Sequence, residues 1–240
     1  MNIINERLKI SLQALFSKSF DSISNDDLAE LKSVAIDSVG LSKEDAENDI
    51  KEVLSSCINI EAISMKNTFI TSKIMEAINN TNISRIYLDK CAFEDEKNIS
   101  LPSALKEFEM RRCFLDDYTG ILNNLPKGLE ILNISYPADE SSIDLSLLNN
   151  IESLQVLVLD GCIINWNNCQ LNDCRYLSLL GTEVTEEMAN NISKLPQLKE
   201  LFISERFNIL DGIQPLFDTI KIRNDLSEYV FEEETINKNL

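Results

Sequence analysis

ISRIYLDKCAF, residues 83–93, and LKEFEMRRCFL, residues 105–115, start 22 residues apart and carry apolar side chains at the same steps, with a cysteine ninth in each. Their fourth and sixth residues, Ile86 and Leu88 in one and Phe108 and Met110 in the other, alternate with polar ones. That is the period of a strand with one buried face. Take a template with apolar residues at positions 1, 4, 6 and 11 and a small or polar residue at 9. The pattern recurs from Leu31, Ile60, Ile83, Leu105, Leu129, Leu154, Cys174 and Leu198.

These starts are separated by 29, 23, 22, 24, 25, 20 and 24 residues, within or close to the spacing of leucine-rich repeats. On this spacing and phase the chain resembles the leucine-rich repeat family over roughly residues 31 to 210. The unit LLGTEVTEEMANNISKLPQLKELFIS, residues 179–204, is similar to the variety with a Gly-Thr-x-Val-Thr turn and a return helix ending in Leu-Pro. Pro137 and Asp139 in the fifth unit and Arg206 and Asn208 in the eighth depart from the pattern. The resemblance implies an α/β leucine-rich repeat solenoid, a curved horseshoe with a parallel β-sheet on the concave face and helices and loops on the convex face.

One unit cannot bury its own apolar side, so the units are expected to stack, with atypical ends. Residues 1–30 are read as an N-terminal helical cap, with Ile4, Leu8, Leu12 and Leu15 at helical spacing, or as a degenerate repeat using Leu8, Ile10 and Leu15. Residues 31–211 hold about eight repeats, and residues 212–240 a C-terminal cap and acidic tail. Between strands, SKEDAENDIKEVL (42–54) puts Ala46, Ile50, Val53 and Leu54 on one helix face behind the N-cap Ser42 and Asp45. Thr185 is expected to start another helix, carrying Met188 and Ile192. The acid-rich runs EDAEND (44–49) and FEDEKN (93–98) read as a solvated convex face.

With 22 basic against 40 acidic residues the net charge is -18. A polyanion would be repelled, so neither nucleic acid nor an anionic membrane is an expected partner. No stretch has the composition of a signal peptide or a membrane span. The expected location is cytoplasmic, and the Asn-Ile-Ser sequons at Asn82, Asn98, Asn133 and Asn191 are read as compositional bias.

Position 9 holds Val39, Thr68, Cys91, Cys113, Pro137, Cys162, Thr182 and Arg206. The resemblance implies that a small donor here turns inward and hydrogen-bonds the backbone at the strand end. Cys91, Cys113 and Cys162 therefore read as ladder residues, and Cys174 as core. A cysteine nucleophile needs a base, and the chain contains no histidine. Cys169 and Cys174 lack the second ligand pair that zinc requires. No phosphate loop or catalytic triad is visible, so no enzyme, cofactor or metal is expected.

The same period sends positions 3, 5, 7 and 8 outward. They gather Arg85, Lys90, Arg111 and Arg112, with Lys66 beside them, into a basic cluster. Next to it Ile131, Tyr136, Val156, Val158, Tyr176, Leu180 and Phe202 form an apolar and aromatic stripe, and Tyr87 faces outward with Arg85 and Lys90. Exposed apolar patches with Tyr, Phe and Arg are typical of binding sites. The expectation is a non-enzymatic module that binds a partner protein on its concave face. In one setting it is a bacterial effector or effector regulator, carried into a host cell by a signal-peptide-independent system. The alternatives are an immunity or antitoxin-type inhibitor of a basic toxin and the substrate-recognition subunit of a ubiquitin ligase.

Overall fold

The inward rows of the template set the architecture. Positions 4 and 6 are buried in all eight units, from Val34 and Ile36 to Leu201 and Ile203. Position 1 closes beneath them, and Ile60, Ile83, Leu105, Leu129 and Cys174 are each 0% exposed. A fully buried aliphatic side chain contributes about 1.5–3 kcal/mol, so three such rows repeated along the chain make one continuous core.

The structure is a computed structural model and describes residues 3–139, 141–204 and 221–223, the last three by backbone alone. The chain begins with α1 (Glu6–Phe16), α2 (Asn25–Ala29), β1 (Ser33–Asp37), α3 (Lys43–Ser56) and β2 (Ala62–Lys66). It continues through β3 (Phe69–Ile70), α4 (Ser72–Asn79), β4 (Arg85–Asp89), β5 (Ala92–Phe93), β6 (Glu107–Arg111) and α5 (Thr119–Asn123). Then come β7 (Ile131–Ser135), β8 (Ser142–Asp144), β9 (Val156–Val158), β10 (Ile163–Asn165) and β11 (Tyr176–Leu179). The last described elements are α6 (Glu186–Ile192), β12 (Glu200–Ile203) and β13 (Lys221–Arg223).

The main sheet is parallel, in the order β1-β2-β4-β6-β7-β9-β11-β12-β13. Its register pairs Ser33, Ala62, Arg85, Glu107, Ile131, Val156, Tyr176 and Glu200 laterally, position 3 of every unit. A ninth strand, β13, follows within the stretch assigned to the C-terminal cap. Arg206, Asn208 and the acidic tail lie outside the described residues.

Short second ladders run just past the strand ends, with β3 beside β5 and β8 beside β10. The return segments carry α3 and α4, then α5, a 3-10 turn at Leu145–Asn150 and α6. α3 starts where its sequence predicts, with the Ser42 hydroxyl accepting from the Asp45 N–H, and Thr185 caps α6 through the Met188 N–H. The EDAEND run differs from expectation. Asp49 is 0% and Glu47 8% exposed, because these two side chains reach neighbouring elements, while Glu44 and Asn48 are exposed as expected. Asp49 accepts the Ile4 and Asn5 N–H groups, each at 2.7 Å. Glu47 accepts from the Thr71 hydroxyl at 3.0 Å.

The N-terminal stretch is helical in α1, with Leu8 and Leu12 buried. Ile4, Ile10 and Leu15 are exposed. Leu8 and Leu12 of this helix point at the protein, with Phe16 packed at the edge of the core, and a strand-like use of Leu8, Ile10 and Leu15 does not occur.

Position 8, one to three residues past the strand end, is left-handed in six successive units. Asn67, Lys90, Arg112 and Tyr136 have φ between 50° and 54°, and Gly161 and Gly181 have 68° and 74°. The Tyr136 ring lies over Gly161, where an added Cβ would come within 2.8 Å of its Cδ1. Gly161→Ala should therefore cost about 1–3 kcal/mol, from the backbone term plus displacement of the ring. A urea midpoint equal to that of the unchanged chain would contradict this.

Candidate protein-binding face

The ladder that ends each strand fixes the face. Cys91 Sγ donates to the Met65 carbonyl at 3.4 Å, Cys113 to Leu88 at 3.6 Å, Cys162 to Ile134 at 3.1 Å, and the Thr182 hydroxyl to Leu159 at 2.7 Å. Each donor reaches position 6 of the preceding unit, so the thiols tie neighbouring repeats together. Burial pushes the Cys162 thiol up to about 12, away from the thiolate needed for reactivity. Pro137 has no such donor. In its unit Asp139 instead accepts the Leu115 N–H of the unit before, at 3.0 Å.

With the inward side fixed, positions 3, 5, 7 and 8 face away from the core as expected, but accessibility divides them. Lys90, Arg111, Arg112 and Tyr136 are exposed, and Arg85, Tyr87, Ile131, Val156 and Tyr176 are half-buried. Val158, Leu180 and Phe202 are 6%, 7% and 3% exposed, which corrects their place in an open apolar stripe. In-register parallel strands stand ~4.8 Å apart, so same-face neighbours shield one another. Val158 is flanked by Asn133 and Ser178, both buried as well. Val158, Leu180 and Phe202 join Asn133, Ser135, Asp160 and Ser178 in a second, mixed buried layer over units five to eight, while Ile131, Tyr136, Val156 and Tyr176 keep exposed surface.

Polar groups in that layer are paired. Asp160 Oδ1 accepts the Ser178 hydroxyl at 2.6 Å and the Leu180 N–H at 2.9 Å. Asn133 donates to Glu109 at 3.2 Å and accepts from the Ser135 hydroxyl. Burial raises the carboxyls of both Asp160 and Glu109. A raised carboxyl holds its proton longer when folded, so its charge opposes folding above the folded pKa and this penalty is gone below the unfolded value. Asp160→Asn retains an oxygen for both donors and sheds the buried charge. It should raise the urea midpoint at neutral pH, and the gain should fade as pH falls toward about 3.9. An advantage that is constant with pH would refute the buried-charge account.

The basic cluster is also less positive than its sequence suggests. Asp89 pairs with Arg112 at 2.6 Å and with Lys66 at 3.8 Å. Glu107, beside Arg85 in the sheet, accepts from the Tyr87 hydroxyl at 2.7 Å. On positions 3, 5, 7 and 8 of the first four units, five cations meet four carboxylates (Asp37, Asp89, Glu107 and Glu109). The left-handed turn at position 8 was not anticipated, although Gly161 and Gly181 at that step carried the signal.

No family model matches the sequence, and no curated protein matches it. Among solved structures the chain is similar to the internalin inlF of Listeria monocytogenes, with a TM-score of 0.57 at 16% identity over 92% of this chain and 75% of that one. The fold is a leucine-rich repeat solenoid. The internalin C2 (inlC2) of the same organism is also similar, at TM-score 0.45 and 16% identity, covering 94% of this chain and 90% of that one. In leucine-rich repeat terms, the half-buried and exposed residues above form the inner face of the parallel sheet.

Proposed function

We propose that this leucine-rich repeat chain is a non-enzymatic protein-interaction module that holds a partner protein on its concave face. The observation that carries the reading is the regular outward display of Tyr87, Ile131, Val156 and Tyr176 beside Arg85 and Arg111, none fully buried, on one rigid in-register sheet. Rigid aromatic and arginine side chains lose little entropy on docking and dominate interface energetics. Tyr136 extends that display past the strand ends.

The finer setting we propose is that of a bacterial effector or effector regulator acting inside a host cell. Its support lies in the Asn/Ile/Lys-rich composition and in the glutamates Glu232 to Glu234, which resemble an export signal. The antitoxin reading loses ground because the concave face mixes charges and is not uniformly acidic. Capture from host and bacterial lysates with the unchanged chain and with a Tyr136→Ala, Tyr176→Ala double variant tests the module. A partner retained by the first and lost by the second, at equal circular dichroism, is expected. Equal retention by both would remove the concave face as the site.

A further inference from the structure

Two rows of side chains stand at the rim just beyond the strand ends, outside the concave floor. The first is position 8. The N–H groups of Asn67, Lys90, Arg112 and Tyr136 each donate to the position 7 carbonyl of the next unit, at 2.7–3.0 Å, so the row is in register. All four residues adopt the left-handed conformation that glycine takes without cost, and glycine does occupy this step in the next two units. Non-glycine residues at such backbone angles cluster at functional sites, and four successive ones single out this step.

The second row is position 10. Phe69 pairs with Ala92, and Ala92 bridges to Phe114. Phe69 is 39%, Phe114 56% and Ile163 53% exposed, and Tyr136 beside them is 43% exposed. A single exposed apolar residue is ordinary, but Phe69, Phe114 and Ile163 in units two, four and six, with alanines at the same step between them, form a strip that marks a contact surface.

Charge selects the occupant. At positions 7, 8 and 10 of units two to six, Lys66, Lys90, Arg111 and Arg112 meet only two carboxylates, Asp89 and Asp160. Asp160 is buried under Ser178 and Leu180, and Asp89 serves Lys66 and Arg112. Lys90 and Arg111 have no carboxylate at ion-pair distance among the described residues, and Arg111 acts only at longer range on the buried carboxyls of Glu109 and Asp160. On a chain of net charge -18 this rim is a local exception. We propose that the rim docks an acidic segment of a partner protein whose carboxylates alternate with aromatic or aliphatic residues. The carboxylates would meet Lys90 on the rim and Arg111 at the strand end that borders it, and the apolar side chains the Phe114 row. The proposal rests on the reading of the chain as a protein-binding module and moves the contact from the floor to the rim.

The test is selection of short random peptides displayed on phage against the full chain, followed by titration of a labelled winner. Expected are winners rich in Asp and Glu with interspersed Phe, Leu or Trp. Their affinity should fall by about tenfold or more in Lys90→Glu and in Phe114→Ser, weaken with added salt, and persist in a Tyr87→Ala, Tyr176→Ala floor variant. Winners lost in the floor variant but not in the rim variants would overturn the rim while leaving the protein-binding reading intact. Failure to enrich any peptide would overturn the acidic-segment proposal and leave the capture experiment above to decide the protein-binding reading. Basic winners, or rim-dependent binding of duplex DNA or anionic vesicles, would overturn the acidic-segment assignment.

Discussion

Phe108→Ala is expected to lower the stability of this chain by about 3–5 kcal/mol. Phe108 lies in β6 at position 4 of the fourth unit, is 1% exposed, and stands in register between Ile86 and Leu132 near the middle of the sheet. Truncation removes the largest side chain of that row, and the parallel backbones on either side cannot close the gap, because the ladder holds their spacing. In a stacked array each unit is stabilised mainly by its neighbours. A cavity here therefore weakens two interfaces at once. Urea unfolding followed by circular dichroism should show a lower midpoint. A loss below about 1 kcal/mol would mean that the row is not close-packed.

Asp49→Ala is expected to cost about 2–4 kcal/mol, from two backbone donors left without their charged acceptor. Asp49 reaches from α3 to the N–H groups of Ile4 and Asn5, just where α1 begins. Asn5 in turn caps α1 through the Leu8 N–H and donates to the Asp37 carbonyl of β1. One carboxylate thus fixes the helix that lies against the first strand, and it meets the positive end of that helix. Hydrogen exchange should show Leu8 and its neighbours losing protection before the central strands. Protection lost evenly along the chain, or not at all, would show that Asp49 does not act through α1.

The two effects differ in how visible their residues are in sequence. Phe108 was placed in the core by its step in the repeat alone, and so was every residue at positions 1, 4 and 6, since a period of two repeated in phase leaves one inward face. Cys91, Cys113 and Cys162 were assigned to the strand-end ladder by the same phase, with the resemblance supplying the role. Asp49 was assigned to solvent with the rest of EDAEND, because an acid on a polar helix face reads as solvated unless its partner is known. That partner lies 44 residues away at Asn5. Val158, Leu180 and Phe202 were misplaced for a related reason. The period says which way a side chain points but not what stands beside it on the next strand.

For this protein, then, sequence by itself determined the repeat, the register of the sheet, the inward rows and the step at which the ladder thiols stand. All of these follow from local alternation and fixed spacing, which each unit states for itself. Tertiary structure alone decided which outward residues remain accessible, which acids are buried, and that Lys90, Arg112 and Tyr136 stand on a left-handed rim. Those properties depend on distances between residues twenty or more positions apart, which a period fixes in direction but not in burial or charge.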